Sequence, residues 1–299
     1  MISPWLIAIR PKTLSLGVVP VLVGTSLGWS ESGAMSWLVM TAALVVAVLI
    51  QIGTNLHNDV ADFELGADDT TTRLGPLRAT AEGWLTPTQV RRAAVLSFAL
   101  AFITGCSLIW VGGWPILMVG VICIAAGYAY TGGPKPIAYI GLGELFVFLF
   151  FGLVAVSGSY YLQTGQLSLS ALVAGTLIGL PAAAVLVVNN YRDLENDRQA
   201  GKNTLAVRLG RRATQVEYTL LMLGPFLLVP LLPAARGSRW WLIIPLLLLP
   251  WAIILVSRFL RDPPGPSFNR LLAATAQFQL GLGLLLCLTL LAGQGISYD

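Results

Sequence analysis

The sequence predicts an all-α integral membrane protein of nine transmembrane helices, two four-helix halves plus a ninth helix, with a cytoplasmic N-terminus. Two observations carry this. Of 299 residues, 56% are hydrophobic and 11% charged, whereas charged residues make up about 25% of a soluble domain. The apolar residues also fall into long runs, and a helical span needs about 20 of them. A bundle of this size reads as a single transmembrane domain over residues 1–299.

The elements follow in order. Spans 14–30 and 36–54 are joined by the minimal connection Glu31 to Met35, and the second runs without a break into Asn55-Leu56-His57-Asn58-Asp59-Val60-Ala61-Asp62. A loop of about 38 residues follows. Spans 93–111 and 114–130 meet at Gly112-Gly113, and the turn-rich Tyr130-Thr131-Gly132-Gly133-Pro134-Lys135 closes the fourth. The fifth, 142–162, admits Glu144 at its start, and the sixth, 168–189, runs into Asn189-Asn190-Tyr191-Arg192-Asp193-Leu194-Glu195-Asn196-Asp197. A second long loop, about 26 residues, precedes spans 216–234, 240–257 and 271–292.

Charge placement orients the bundle. With the N-terminus inside, all 18 Lys and Arg residues except Arg236 and Arg239 fall in cytoplasmic segments, the positive-inside pattern. The C-terminus is then outside. Those loops account for the net charge of +4 and the pI near 9.1, so nucleic acid is not an expected partner. A cleavable signal peptide is not expected, because the first apolar run is long enough to span and no strong cleavage site follows it. Cys106, Cys123 and Cys287 lie unclustered inside apolar spans, with neither disulfide nor metal-site spacing.

The two polar stretches are the functional clue, because ionisable groups at a membrane helix end are costly and mark a site. At about 100° per residue, Asn55, Asp59, Asp62 and Gly66 share an arc of about 60°, while Asn189, Asp193 and Asp197 step around a second face by about 40° each time. Glu64, Glu195 and His57 point elsewhere, and His57 reads as a packing residue. Arg73-Leu74-Gly75 lies 18 residues after Asn55, and Arg208-Leu209-Gly210 lies 19 after Asn189. This repetition suggests corresponding halves.

Carboxylates spaced i, i+3 or i, i+4 lie about 5 to 6 Å apart on a helix, so clustering them is unfavourable without a cation. Oxygen donors with no His/Cys grouping favour Mg²⁺ over zinc. Asp59, Asp62, Asp193 and Asp197 are therefore the candidate catalytic carboxylates, and with Asn55 and Asn189 the candidate metal ligands. Arg73, Arg78, Arg192, Arg198, Lys202 and Arg208 would complement phosphate oxygens. The simplest ligand is a diphosphate, and beside a lipid bilayer a prenyl diphosphate. Cations would stabilise the leaving diphosphate while an apolar, aromatic chamber shelters the allylic carbocation. Trp84, Tyr128, Tyr130 and Tyr191 lie near the interface, where they serve either the cation or an aromatic belt. Glu144, entering an apolar span, is snorkelling or functional, with Lys135, Arg10 or Lys12 as expected partners. A secondary transporter is the alternative of a different class, but its ionisable groups belong near the bilayer midplane.

Asn55-x-x-Asn58-Asp59-x-x-Asp62-x-x-x-Gly66-x-Asp68 and Asn189-x-x-x-Asp193-x-x-x-Asp197 resemble the two aspartate-rich motifs of the intramembrane aromatic prenyltransferase superfamily typified by 4-hydroxybenzoate polyprenyltransferase. Gly66 stands where many members carry a third aspartate. Arg10-Pro11-Lys12-Thr13-Leu14, Arg73-Leu74-Gly75-Pro76-Leu77-Arg78, Tyr139-Ile140-Gly141-Leu142-Gly143-Glu144 and Gly201-Lys202-Asn203-Thr204 resemble its 1,4-dihydroxy-2-naphthoate polyprenyltransferase branch, over about Trp5 to Leu291. The resemblance implies Mg²⁺ dependence and prenylation of 1,4-dihydroxy-2-naphthoate by a polyprenyl diphosphate, with loss of CO2, to give demethylmenaquinone. It implies diphosphate contacts from Arg73, Tyr130, Lys135, Arg192, Lys202 and Arg208, and acceptor contacts from Arg10, Lys12 and Glu144. It places a multi-pass protein in the cell (inner) membrane with its active site facing the cytoplasm. Within the enzyme class, 4-hydroxybenzoate or homogentisate is the alternative acceptor.

Overall fold

The computed structural model describes residues 3–66, 74–232 and 240–292. Every regular element among them is helical. In chain order these are α1 (Pro4–Ile9), α2 (Pro11–Ser32), α3 (Trp37–Glu64), α4 (Pro87–Ala129), α5 (Gly143–Phe148), α6 (Ala155–Thr164), α7 (Leu169–Arg192), α8 (Leu194–Gln199), α9 (Leu205–Leu228), α10 (Ile243–Leu246), α11 (Leu249–Arg261) and α12 (Phe268–Ala292). A π-helical segment, Leu149–Val154, joins α5 to α6 into one span.

Eight helices among the described residues are long and apolar enough to cross a membrane. The 43-residue α4 would be about 65 Å long if straight, twice the roughly 30 Å hydrocarbon core. It breaks at Gly113, where φ 64 and ψ −159 lie outside the helical region. Glycine reaches such a positive φ without a Cβ penalty. The break falls between the two spans expected at 93–111 and 114–130, so α4 supplies both.

Helix starts are set locally. Ser36, Thr86, Ser168 and Thr204 each accept a backbone N–H from the first turn of α3, α4, α7 and α9, which satisfies donors that a helix leaves free. The largest core packs α2, α7, α9, α11 and α12 around Leu177, Tyr218, Phe259 and Phe278, all fully buried. Large apolar side chains cover the outside instead, as with Trp110 at 93% exposure and Leu38 at 81%. In water such a surface would be an aggregation hazard. In lipid it is the solvated face.

Candidate active site

A cavity of about 1250 Å³ runs between the helices, lined at one end by Asn55, Asp62, Asn189, Asp193, Asp197 and Lys202 and further in by Phe146, Phe150, Phe151 and Val154. The polar end is built where α3 stops, where α7 passes into α8, and where α1 meets α2.

Asp62, in the last turn of α3, is the centre of one half. Its Oδ2 accepts Arg78 Nη2–H at 2.8 Å and its Oδ1 accepts the Tyr139 hydroxyl at 3.1 Å. Asn55, two turns earlier, donates through Nδ2 to the Ile9 carbonyl at 2.8 Å and to Thr13 Oγ1 at 3.2 Å. With its nitrogen so engaged, the amide leaves its oxygen as the acceptor on the cavity side. Asn58 also lines the cavity and accepts the Thr131 hydroxyl at 2.6 Å. Arg10, between α1 and α2, adopts φ 55 and ψ 68, the left-handed region that non-glycine residues rarely occupy. The bond from Asn55 to Ile9 and that from Thr13 Oγ1 to the Arg10 carbonyl hold this strained turn, and Arg10 and Lys12 both line the cavity.

The second half is organised by Arg192 and Gly201. Arg192 is buried, with Nε 2.8 Å from Asp193 Oδ1 and Nη2 2.5 Å from Asp193 Oδ2. Its remaining donors reach Asn189 Oδ1 at 2.8 Å and Asn269 Oδ1 at 2.7 Å. After α8, Gly201 turns with φ 69, and the Lys202 N–H returns to the Asp197 carbonyl at 2.8 Å. The Lys202 ammonium then sits 3.9 Å from Asp197 Oδ1 and 5.3 Å from the centre of the Tyr139 ring. Tyr139 therefore touches both halves, Asp62 through its hydroxyl and Lys202 through its ring.

Electrostatics marks this end as short of positive charge. Burial, reinforced by Asp193 and Asp62, pushes the Asp197 carboxyl up to about 7 against the pull of Lys202 and Arg192. Its Oδ2 is buried with no hydrogen-bond partner among the described residues. Burial and then the Glu144 and Asp62 charges raise the Tyr130 phenol, so it stays protonated. No three His, Cys, Asp or Glu side chains among the described residues are grouped closely enough to hold an ion. Mg²⁺ typically takes one or two carboxylates plus substrate phosphates, and an orphaned buried carboxylate oxygen is the kind of atom a bound cation satisfies. The donor set fits it.

Several expectations are corrected or refined. Asp59 shares the α3 row but does not line the cavity: it is 1% exposed, and its carboxylate accepts the backbone N–H groups of Ala79 and Thr80. Arg192 clamps Asp193 and Asn189 rather than standing free for a phosphate. Glu144 pairs with Asn190 at 2.7 Å, with Lys202 in electrostatic reach, not with Lys135, Arg10 or Lys12. Lys135 is exposed and absent from the cavity lining, as is Arg208, which lies against Gly141 at the cavity edge. Arg73 and Asp68 fall outside the described residues. Glu64 and Glu195 do point away, pairing with Arg91 and with Arg198 and Arg211. His57 packs by stacking on Tyr128 at 4.5 Å.

Arg78, expected among the phosphate-binding cations, does reach the site, whereas Tyr139, Asn190 and Asn269 are site residues beyond those the sequence points to. Tyr139 sits inside a shared block, which is the available signal. Asn269, whose Nδ2 donates to the Leu74 carbonyl at 2.9 Å, comes from the start of α12 and carried none beyond being a lone amide beside an apolar run.

The profile of the UbiA prenyltransferase family matches residues 17–278. The chain is 40% identical over 226 residues to 1,4-dihydroxy-2-naphthoate octaprenyltransferase of Escherichia coli strain K12, covering 74% of this chain and 73% of that one. It is 36% identical over 274 residues to the protein of the same name from Mycobacterium leprae, covering 91% of each. In fold it is similar to a UbiA homolog from Archaeoglobus fulgidus bound to GPP and Mg²⁺, with a TM-score of 0.65, 16% identity, and coverage of 98% of this chain and 100% of that one.

Proposed function

This chain belongs to the UbiA prenyltransferase family, and we infer from that premise and from the cavity that it transfers a polyprenyl group from polyprenyl diphosphate to 1,4-dihydroxy-2-naphthoate. It is a multi-pass membrane enzyme. The reaction releases CO2 and diphosphate and yields the prenylated naphthoquinol, the reduced form of demethylmenaquinone. The observation that carries the reading is one continuous cavity joining facing carboxylates and cations, Asp62, Asp193, Asp197 and Lys202, to an apolar aromatic chamber.

The chain's own residues divide the work. Mg²⁺ would be held by one or two of the carboxylates Asp62, Asp193 and Asp197 at a time, with the amide oxygens of Asn55 and Asn189 and oxygens of the diphosphate, and would supply positive charge to the departing diphosphate. Lys202 and Arg78 hold phosphate oxygens by charge-assisted hydrogen bonds, joined by Arg208 and by Arg73 from outside the described residues. Arg192 positions Asp193 and Asn189. Phe146, Phe150, Phe151 and the neutral Tyr130 line the space beyond, where aromatic faces favour an allylic cation and exclude water that would capture it. The polyprenyl tail remains in apolar surroundings, since each buried CH₂ is worth about 0.8 kcal/mol. Arg10 and Lys12, at the mouth, bind the acceptor carboxylate. The positive-inside charge pattern supports a mouth that opens on the cytoplasmic face of the cell (inner) membrane.

The purified full chain, incubated with labelled prenyl diphosphate, Mg²⁺ and a panel of aromatic acids, tests this. Prenylated and decarboxylated naphthoquinol is the expected product. Transfer only to 4-hydroxybenzoate or homogentisate would replace the acceptor, and absence of transfer to any acid would end the enzymatic reading.

A further inference from the structure

Glu144 carries a carboxylate to the cavity whose second oxygen has no assigned role. It lies in the first turn of α5, is 6% exposed and lines the cavity. Asn190 Nδ2–H donates to Oε1 at 2.7 Å and so fixes the plane of the carboxyl group. Oε2 is also buried, and among the described residues it accepts no hydrogen bond from another residue. Leaving a buried carboxylate oxygen unsatisfied is costly, and a donor that arrives with the substrate would satisfy it. Asp62, Asp193 and Asp197 each form an ion pair, whereas Glu144 forms none among the described residues. The titratable groups that face it are Tyr130, Lys202 and Glu217. Because Lys202 also reaches Asp197, Glu144 stands beside the diphosphate end, where the new carbon–carbon bond must form.

Building on the reaction inferred above, we propose that Glu144 Oε2 accepts the ring-hydroxyl proton of the aromatic acceptor while the ring carbon is alkylated. The C–O bond of the prenyl diphosphate breaks and its electron pair leaves with the diphosphate. The ring carbon forms the new C–C bond with electrons released from the hydroxyl oxygen, whose O–H bond breaks as the proton passes to Oε2. Loss of CO2 from the alkylated carbon returns an electron pair to the ring, and the ring oxygen recovers its proton from Glu144. Nothing is oxidised or reduced, and the carboxylate ends as it began. Asn190 acts as a positioning residue.

The test uses the full-length wild type, Glu144→Gln and Glu144→Asp in nanodiscs, with prenyl diphosphate, Mg²⁺, 1,4-dihydroxy-2-naphthoate and ring-substituted naphthoates of graded hydroxyl acidity. A positioned base contributes about 10²- to 10⁴-fold, so Glu144→Gln should lose about 100-fold or more in kcat. Its KM for prenyl diphosphate should change little, and the loss should shrink as the acceptor hydroxyl becomes more acidic. With Mg²⁺ saturating at every pH, so that proton competition at Asp197 adds no limb of its own, the acidic limb of the wild-type pH–rate profile should vanish in Glu144→Gln, while Glu144→Asp keeps that limb at reduced kcat. A wild-type kcat in Glu144→Gln, or an equal loss across the acidity series, overturns the assignment. If Glu144→Gln fails to bind prenyl diphosphate, Glu144→Asp decides: without an acidic limb or a dependence on hydroxyl acidity, the proposal fails. A wild type that prenylates no naphthoate refutes the underlying reaction instead.

Discussion

Asp59 Oδ1 accepts the backbone N–H of Thr80 at 3.0 Å, and Oδ2 accepts that of Ala79 at 3.3 Å. This carboxylate ties the end of α3 to the segment before α4, which contributes Arg78 to the site. Asp59→Ala should therefore lower stability, with each charge-assisted hydrogen bond worth about 1.5 to 3 kcal/mol. The unfolding midpoint in detergent measures it. A variant that melts with the wild type yet is inactive would assign Asp59 to the metal rather than to this brace.

Asp197 should behave in the opposite way. Its buried carboxyl titrates near 7 in the folded chain and near 3.9 in an unfolded one. Below about pH 4 both states hold the proton and nothing is at stake. As pH rises from there the unfolded state ionises first, so folding loses stability progressively until the folded-state group has also ionised, above about 7. With EDTA present, Asp197→Asn should melt with the wild type at acid pH and above it at pH 8, while transfer is abolished. Equal midpoints at pH 8 would contradict the burial argument.

The same group links metal to pH. A carboxylate must lose its proton to take a cation, so Mg²⁺ activation should strengthen by up to about tenfold per pH unit below 7 and level off above it. Titrating Mg²⁺ against rate between pH 6 and 8 reads this directly. A half-activating concentration that does not move with pH would remove Asp197 from the ligand set.

Arg78 and Arg91 offer a matched comparison. Arg78 and Asp62 form a buried pair with side chains 9% and 6% exposed, whereas Arg91 and Glu64 pair at the surface at 53% and 47%. Removing one member of a buried pair costs about 3 to 5 kcal/mol, and exposed pairs are worth about 0 to 1. Arg78→Ala should lower both thermal midpoint and activity, and Arg91→Ala should leave both near wild type. Comparable losses from the two would mean that arginine at this face serves only as a topological anchor.

The sequence by itself determined the solvent and the two rows. Runs of about 20 apolar residues require a bilayer, the Gly112-Gly113 pair marked the break in α4, and helical periodicity put Asn55 and Asp62 on one face and Asn189, Asp193 and Asp197 on another. These are local properties, fixed by composition and by rotation per residue. What periodicity gives is a bearing about a helix axis; it does not say which segment waits at that bearing. Only the tertiary structure decided that Asp59 meets the amides of Ala79 and Thr80 while Asp62, one turn on, meets the cavity. Only it folded Arg192 onto Asp193 and brought Asn269 to Arg192 across 77 residues and Asn190 to Glu144 across 46. Such contacts depend on how whole helices pack, which no window along the chain contains. The chain therefore announced its oxygen-rich site plainly, and packing divided those oxygens between holding the fold and facing the substrate.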